Sequence, residues 1–115
     1  MNKGKVGRKL HRTRDQRKAL LKSLAYSLVW RNRIQTSEAK AKELRPFIER
    51  LITKAREQDL ASTRYLKIYF DDKTVHQIIH KVVPKYKERP GGYTRITKLA
   101  PYRGSKGVRA IIELI

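Results

Sequence analysis

The spacing of apolar residues changes along the chain, and each change marks the edge of an element. Leu21, Leu24, Ala25 and Leu28 recur at helical spacing, with Leu20 and Val29 widening the stripe. Thr13 followed by Gln16 has the capping-box pattern, and Asp15 stands in the first turn, where a carboxylate complements the helix dipole; a helix is predicted to begin there. Asn32, after Trp30 and Arg31, is a plausible left-handed terminator, and Arg33-Ile34-Gln35-Thr36 alternates as a short strand does.

Thr36 or Ser37 can cap a second helix, whose apolar positions Ala41, Leu44, Ile48, Leu51, Ile52 and Ala55 follow the 3.6-residue period. Glu38 and Lys42 have the favourable order for an ion pair one turn apart. Pro46 interrupts this pattern, and because it has no donor it is expected to kink the helix or break it just before that position. Residues 64 to 70 are ambiguous: Leu66, Ile68 and Phe70 alternate with Tyr65, Lys67 and Tyr69 as in a strand, whereas Asp59 and Ser62 suit a helix start. The local pattern leans to strand. Val75, Ile78, Ile79, Val82 and Val83 form a helical stripe ended by Pro84.

The last quarter changes character. Arg89-Pro90-Gly91-Gly92-Tyr93 is a turn-rich loop, and Val108, Ala110, Ile112 and Leu114 fall on one face of a final strand. Residues 94 to 99 can pair with that strand antiparallel, with 101 to 107 as the connection. The predicted architecture is an α+β domain in two layers, several helices packed on a small sheet that includes a C-terminal antiparallel hairpin.

Charge changes what such a domain is for. The 115 residues suit one domain, and 39% hydrophobic and 34% charged residues lie within the folded range. The 29 Lys and Arg against 10 Asp and Glu give a formal net charge of +19, a self-repulsion that a polyanion would neutralise. Nucleic acid fits better than a membrane, because no segment approaches the roughly 20 apolar residues that span a bilayer. The absence of cysteine excludes disulfides, thiolate metal sites and thiol nucleophiles and is consistent with a reducing cytoplasm. The N-terminus lacks the apolar stretch of a secretory signal and reads as part of the mature protein.

The cations are unevenly placed. Residues 1 to 37 hold 11 basic and one acidic residue, 38 to 72 hold eight and seven, and 73 to 115 hold ten and two. Two RNA-facing ends flanking a nearly neutral scaffold are therefore expected. Residues 1 to 12 form a basic arm with Lys3, Lys5, Arg8, Lys9, His11 and Arg12 as candidate RNA contacts, and residues 13 to 115 form the domain. Arg14, Arg17, Lys18 and Lys22 continue the arm into the first helix. At the other end Arg89, Tyr93, Arg95, Lys98, Tyr102, Arg103 and Lys106 interleave cations with aromatics. Gly91 and Gly92 would let backbone amides approach phosphate. Guanidinium groups pair bidentately with phosphates and rings stack on unpaired bases. The plainer alternative is a solvated hairpin with its tyrosines packed on aliphatic stems.

Other chemistry finds little support. His76 and His80 are one helical turn apart, but no Glu follows His76 as in a zinc-protease helix and no third ligand is indicated. No phosphate-loop pattern occurs, and Asp71 and Asp72 are adjacent, so on a helix they diverge and read as a turn or cap. Neither cofactor nor small-molecule substrate is expected, and the chain reads as non-enzymatic. A DNA-binding architectural protein is the alternative, disfavoured because charge sits at both chain ends and not on one recognition helix.

Three stretches carry a family resemblance: Gly7-Arg8-Lys9-Leu10 with Arg12-Thr13 and Arg17-Lys18-Ala19-Leu20; Ile34-Gln35-Thr36 with Ala39-Lys40-Ala41-Lys42-Glu43-Leu44-Arg45 and Leu51-Ile52-Thr53-Lys54-Ala55; and Gly91-Gly92-Tyr93-Thr94-Arg95-Ile96. In order and spacing the chain resembles the bacterial large-subunit ribosomal protein family numbered seventeen. The resemblance implies a cytoplasmic protein of the ribosome with a single α+β domain. It implies binding to large-subunit ribosomal RNA near the mouth of the nascent-chain exit tunnel, beside neighbouring ribosomal proteins and without catalytic residues. It also implies that residues 60 to 70 are helical, against the local pattern, and that reading is adopted because tertiary context often overrides propensity. The chain departs from the family at Asn2-Lys3-Gly4, where an Arg-His start is usual, and at Ser105-Lys106, where an acidic turn is expected.

Overall fold

A computed structural model describes residues 13–89, 91–100 and 107–115. The helix α1 (Arg14–Arg31) leads into strand β1 (Arg33–Ser37) and then helix α2 (Glu38–Ala55). Two shorter helices follow, α3 (Leu60–Lys67) and α4 (Asp72–Gln77). The chain then runs through a π-helical turn, Ile78–Val82, and a 3₁₀ turn, Val83–Tyr86, before strands β2 (Thr94–Lys98) and β3 (Arg109–Leu114). The sheet is antiparallel with order β1-β3-β2, so the last strand is central and pairs with the first as well as with its hairpin neighbour.

Local chemistry sets the ends of the elements. Thr13 accepts from the Gln16 amide while the Gln16 side chain reaches back to the Thr13 amide, closing the predicted capping box. Asn32, at φ 66°, terminates α1 in the left-handed conformation, and its carbonyl accepts from the Leu114 amide at 2.9 Å, which ties the end of α1 to the end of β3. Ser37 is the residue that caps α2, accepting from the Lys40 amide, and the Glu38–Lys42 pair forms at 3.6 Å.

Three expectations change. The helix α2 does not break at Pro46 but runs through it, because Leu44, Phe47, Ile48 and Leu51 around the proline are all buried. That burial outweighs one missing backbone bond, worth about 3 kcal/mol in an exposed helix. The strand that the local pattern favoured for residues 64 to 70 is absent, and the helix that the family resemblance implies for 60 to 70 forms as far as Lys67, followed by a turn. Across α3 and that turn Leu66 and Phe70 both reach the core, a burial that strand alternation cannot give without also burying Ile68, which is 64% exposed. Nor does Pro84 stop the fourth helical region. The helix widens before the proline and tightens through it, which lets Ile78, Val82, Val83 and Tyr86 all face inward.

The helices pack one face of the sheet. Ala110 and Ile112 of β3 are fully buried, and Ile34 and Ile96 flank Ile112 in register and pack against the same core. Ala25, Leu28 and Val29 of α1 and Leu44, Ile48, Leu51 and Ile52 of α2 complete the contact. Asp59 and Asp71 cap α3 and α4, accepting from the Ser62 amide at 2.7 Å and the Thr74 amide at 3.1 Å. The Ser62 amide and hydroxyl hold the Asp59 carboxyl below its ordinary range, and the Thr74 hydroxyl and amide do the same for Asp71. A depressed folded value means stability present above the unfolded pKa and lost as pH falls through the folded one. Urea titrations from pH 7 downward are expected to show an acid-side loss below about pH 4. The Asp59→Asn, Asp71→Asn variant should reduce it, since asparagine caps without titrating.

Candidate nucleic-acid interface

The first basic cluster begins where α1 leaves its cap. Arg14, Arg17, Lys18 and Leu21 line a cleft of about 270 Å³ whose opposite wall is Phe47, Arg50 and Tyr69, brought there by α2 and the turn after α3. Arg14, Lys18 and Arg50 are exposed. Arg17 is held by Glu43, whose carboxylate is nearly buried, so this guanidinium joins α1 to α2 as well as contributing charge. Phe47 and Tyr69 meet edge to face with centroids 5.3 Å apart, and Tyr69 meets Tyr65 in the same manner at 5.6 Å. Lys22, one turn beyond Lys18, is half-buried.

The second cluster lies on the sheet. Because side chains alternate across strands, the face away from the helices carries Arg33 and Gln35 of β1, Arg109, Ile111 and Glu113 of β3, and Arg95 and Thr97 of β2. Glu113 stands in register between Arg33 and Arg95 and accepts from the Arg95 Nε at 3.0 Å. Lys98 reaches Glu38 at 3.1 Å, and this contact holds the Glu38 carboxyl below its usual range against the opposing effect of desolvation. Arg95 and Lys98 are thus engaged within the chain, but their side chains are 61% and 68% exposed. Surface pairs of this kind are weak and screened by salt, so a phosphate can replace the carboxylate.

One predicted contact does not reach the surface. Tyr93 is fully buried: its ring packs on Tyr86 at 4.9 Å, and its hydroxyl meets Thr53 at 3.1 Å and the Arg56 guanidinium at 3.2 Å. It cannot stack on a base. Gly91 and Gly92 take φ of 103° and 66°, so they are needed for the turn that feeds Tyr93 inward, and no atom crowds either position. Arg89 lies over the Tyr86 ring at 5.8 Å. Lys3, Lys5, Arg8, Lys9, His11 and Arg12, together with Tyr102, Arg103 and Lys106, lie outside the described residues.

Sequence reading missed Arg50, Tyr65 and Tyr69. The signal was present but conditional: Tyr65 and Tyr69 share a face in a strand as well as in a helix but come into ring contact only when the chain coils, and Arg50 joins Arg14 and Lys18 only when α1 packs on α2. His76 and His80 are exposed and stack at 4.1 Å, and among the described residues no group of three or more potential metal ligands comes together. Among them, too, no helix is long and apolar enough to cross a membrane.

The profile of the family described as Ribosomal protein L17 matches residues 20–115. The chain is 46% identical over 116 residues to a large ribosomal subunit protein bL17 from Fusobacterium nucleatum, with all of both chains covered. It is 45% identical over 119 residues to the protein of that name from Staphylococcus carnosus, with 94% of this chain and 98% of the relative covered. The corresponding protein of an Exiguobacterium species is 45% identical over 113 residues, with 93% and 97% covered.

Proposed function

The chain belongs to the Ribosomal protein L17 family, a structural and non-enzymatic part of the large ribosomal subunit, and from that premise we propose that it holds large-subunit ribosomal RNA at both of its basic ends. In this reading residues 1–12 are an RNA-binding arm attached to the domain formed by residues 13–115. The arm supplies Lys3, Lys5, Arg8, Lys9, His11 and Arg12, and the start of α1 supplies Arg14, Arg17, Lys18 and Lys22. The hairpin supplies Arg89, Arg95 and Lys98 from its strands and approach, and Tyr102, Arg103 and Lys106 from its loop. Neighbouring ribosomal proteins complete the surroundings, and the family resemblance points to the mouth of the nascent-chain exit tunnel.

The observation that carries this reading is the pairing of two separated cationic surfaces. Arg14, Lys18 and Arg50 converge on one cleft, while Arg33, Arg95 and Arg109 share the open face of the sheet. Two such surfaces suit a folded RNA that brings distant strands together, and neither resembles a single recognition helix lying in a DNA major groove. Competition at fixed salt checks this: structured large-subunit RNA is expected to displace duplex DNA from the chain, and tighter DNA binding would reverse the assignment. Placement is checked by cross-linking mass spectrometry on intact large subunits. Cross-links from Lys18 and Lys98 to proteins at the tunnel mouth are expected, and their restriction to another face of the subunit would refute that placement.

A further inference from the structure

The cleft between α1 and α2 has features that pairing with a phosphate backbone does not require. Cations alone satisfy phosphates, and Arg14, Lys18 and Arg50 provide them. Between those cations, however, the lining is apolar and aromatic: Leu21, Phe47 and Tyr69. Tyr69 is half-buried and meets Phe47 at 5.3 Å and Tyr65 at 5.6 Å, both edge to face, so its ring is held in place. Arg50 lines this cleft and also the neighbouring one that contains Tyr65, where Lys54 stands with Glu49 and Glu57, so the excess of cations lies on the Tyr69 side.

A flat ring with an apolar face and a polar edge, attached to flanking negative charge, matches this lining. A paired RNA helix offers no such group, because its base faces are stacked and hidden, whereas an unpaired nucleotide does. The volume of about 270 Å³ is also too small for a helix and lies near the lower end of small-ligand pockets. We propose that this cleft seats one unpaired nucleotide of an RNA strand, its base against Tyr69 and the adjoining phosphates held by Arg14, Lys18 and Arg50. The seat rests on the RNA-binding reading above and gives it a strand-specific component. Arg17, already engaged by Glu43, acts as a positioning residue that fixes the two walls relative to each other.

The test titrates the full-length chain, its tyrosine rings carbon-13 labelled, with a single-stranded uridine pentamer, an abasic ribose-phosphate pentamer and a short A-form RNA duplex. The uridine strand is expected to shift the Tyr69 ring resonances and to bind about tenfold more tightly than the abasic strand. Tyr69→Leu should remove that advantage and leave duplex affinity unchanged. Should this variant fail to fold by circular dichroism, Arg50→Gln on the exposed side of α2 replaces it: both affinities are expected to fall, the single-strand one by the larger factor, and an equal loss on strand and duplex would count against the seat. Equal binding of the uridine and abasic strands, with Tyr69 unmoved, would overturn the seat while salt-dependent duplex binding kept the broader reading intact. Failure of all three RNAs to bind would overturn both.

Discussion

Raising salt from 50 to 200 mM is expected to weaken the binding of the full-length chain to a large-subunit RNA segment by about 10³- to 10⁵-fold, the loss that accompanies 6–10 neutralised phosphates. The expectation comes from where the charge lies. A net +19 on 115 residues is not diluted over the surface: the segment around α2 is nearly neutral, and the excess sits at the two ends. Among the described residues, Arg14 and Lys18 stand at the first end and Arg33, Arg95 and Lys98 around the sheet, all exposed. Each phosphate they neutralise releases condensed counterions, adding about 0.7 to 0.9 to the slope of log affinity against log salt. Fluorescence anisotropy at four or more salt concentrations reads this directly. A slope shallower than about 3 would mean that fewer than about four phosphates are engaged, and the assignment of both ends to RNA would fail.

The parts of this fold that could be read from sequence are those decided within one or two turns of chain. The capping box of Thr13 and Gln16, the left-handed Asn32, the Glu38–Lys42 pair and the cap at Asp59 need only neighbours three or four residues away, and each stands as the spacing implies. The alternation of residues 64 to 70 was a different kind of signal. Leu66 and Phe70 satisfy both a two-residue and a four-residue period, so the sequence was degenerate there, and the choice is made by α2, against which α3 packs. Pro46 and Pro84 show the same limit: proline sets a local penalty, and whether a helix accepts it depends on how much apolar surface lies on either side. The candidate interface divides along this line as well. Charge at the chain ends was legible by counting, but the cleft formed by Arg50, Phe47 and Tyr69 with α1 exists only once three elements are assembled.

Tyr93 is where the reading of the hairpin as an RNA surface meets a fully buried side chain, and it carries the second large expected effect. Its neighbours Arg89 and Arg95 are cationic, which made an RNA contact plausible, yet the ring is fully buried between Tyr86 and α2. Its position also anchors the hairpin: the Tyr93 carbonyl accepts from the Ile115 amide at 3.0 Å, and the adjacent Thr94 hydroxyl donates to Glu49 at 2.7 Å. Tyr93→Ala removes a large core ring and its two hydroxyl partners together. Loss of a buried aromatic costs about 3–5 kcal/mol, a large share of a net stability of about 5–15 kcal/mol. Calorimetry should show a drop in melting temperature of roughly 10–25 °C. Tyr93→Phe keeps the ring and loses only the contacts with Thr53 and Arg56, about 1 kcal/mol. Affinity of the folded Tyr93→Phe protein for RNA should stay within about twofold of the parent, because a hydroxyl held inside the domain cannot reach a base or phosphate. If Tyr93→Phe instead weakened RNA binding tenfold at unchanged melting temperature, the tyrosine would be a ligand contact and its assignment to the core would be wrong. The hairpin would then have to open on binding, since the ring cannot meet RNA from its present place.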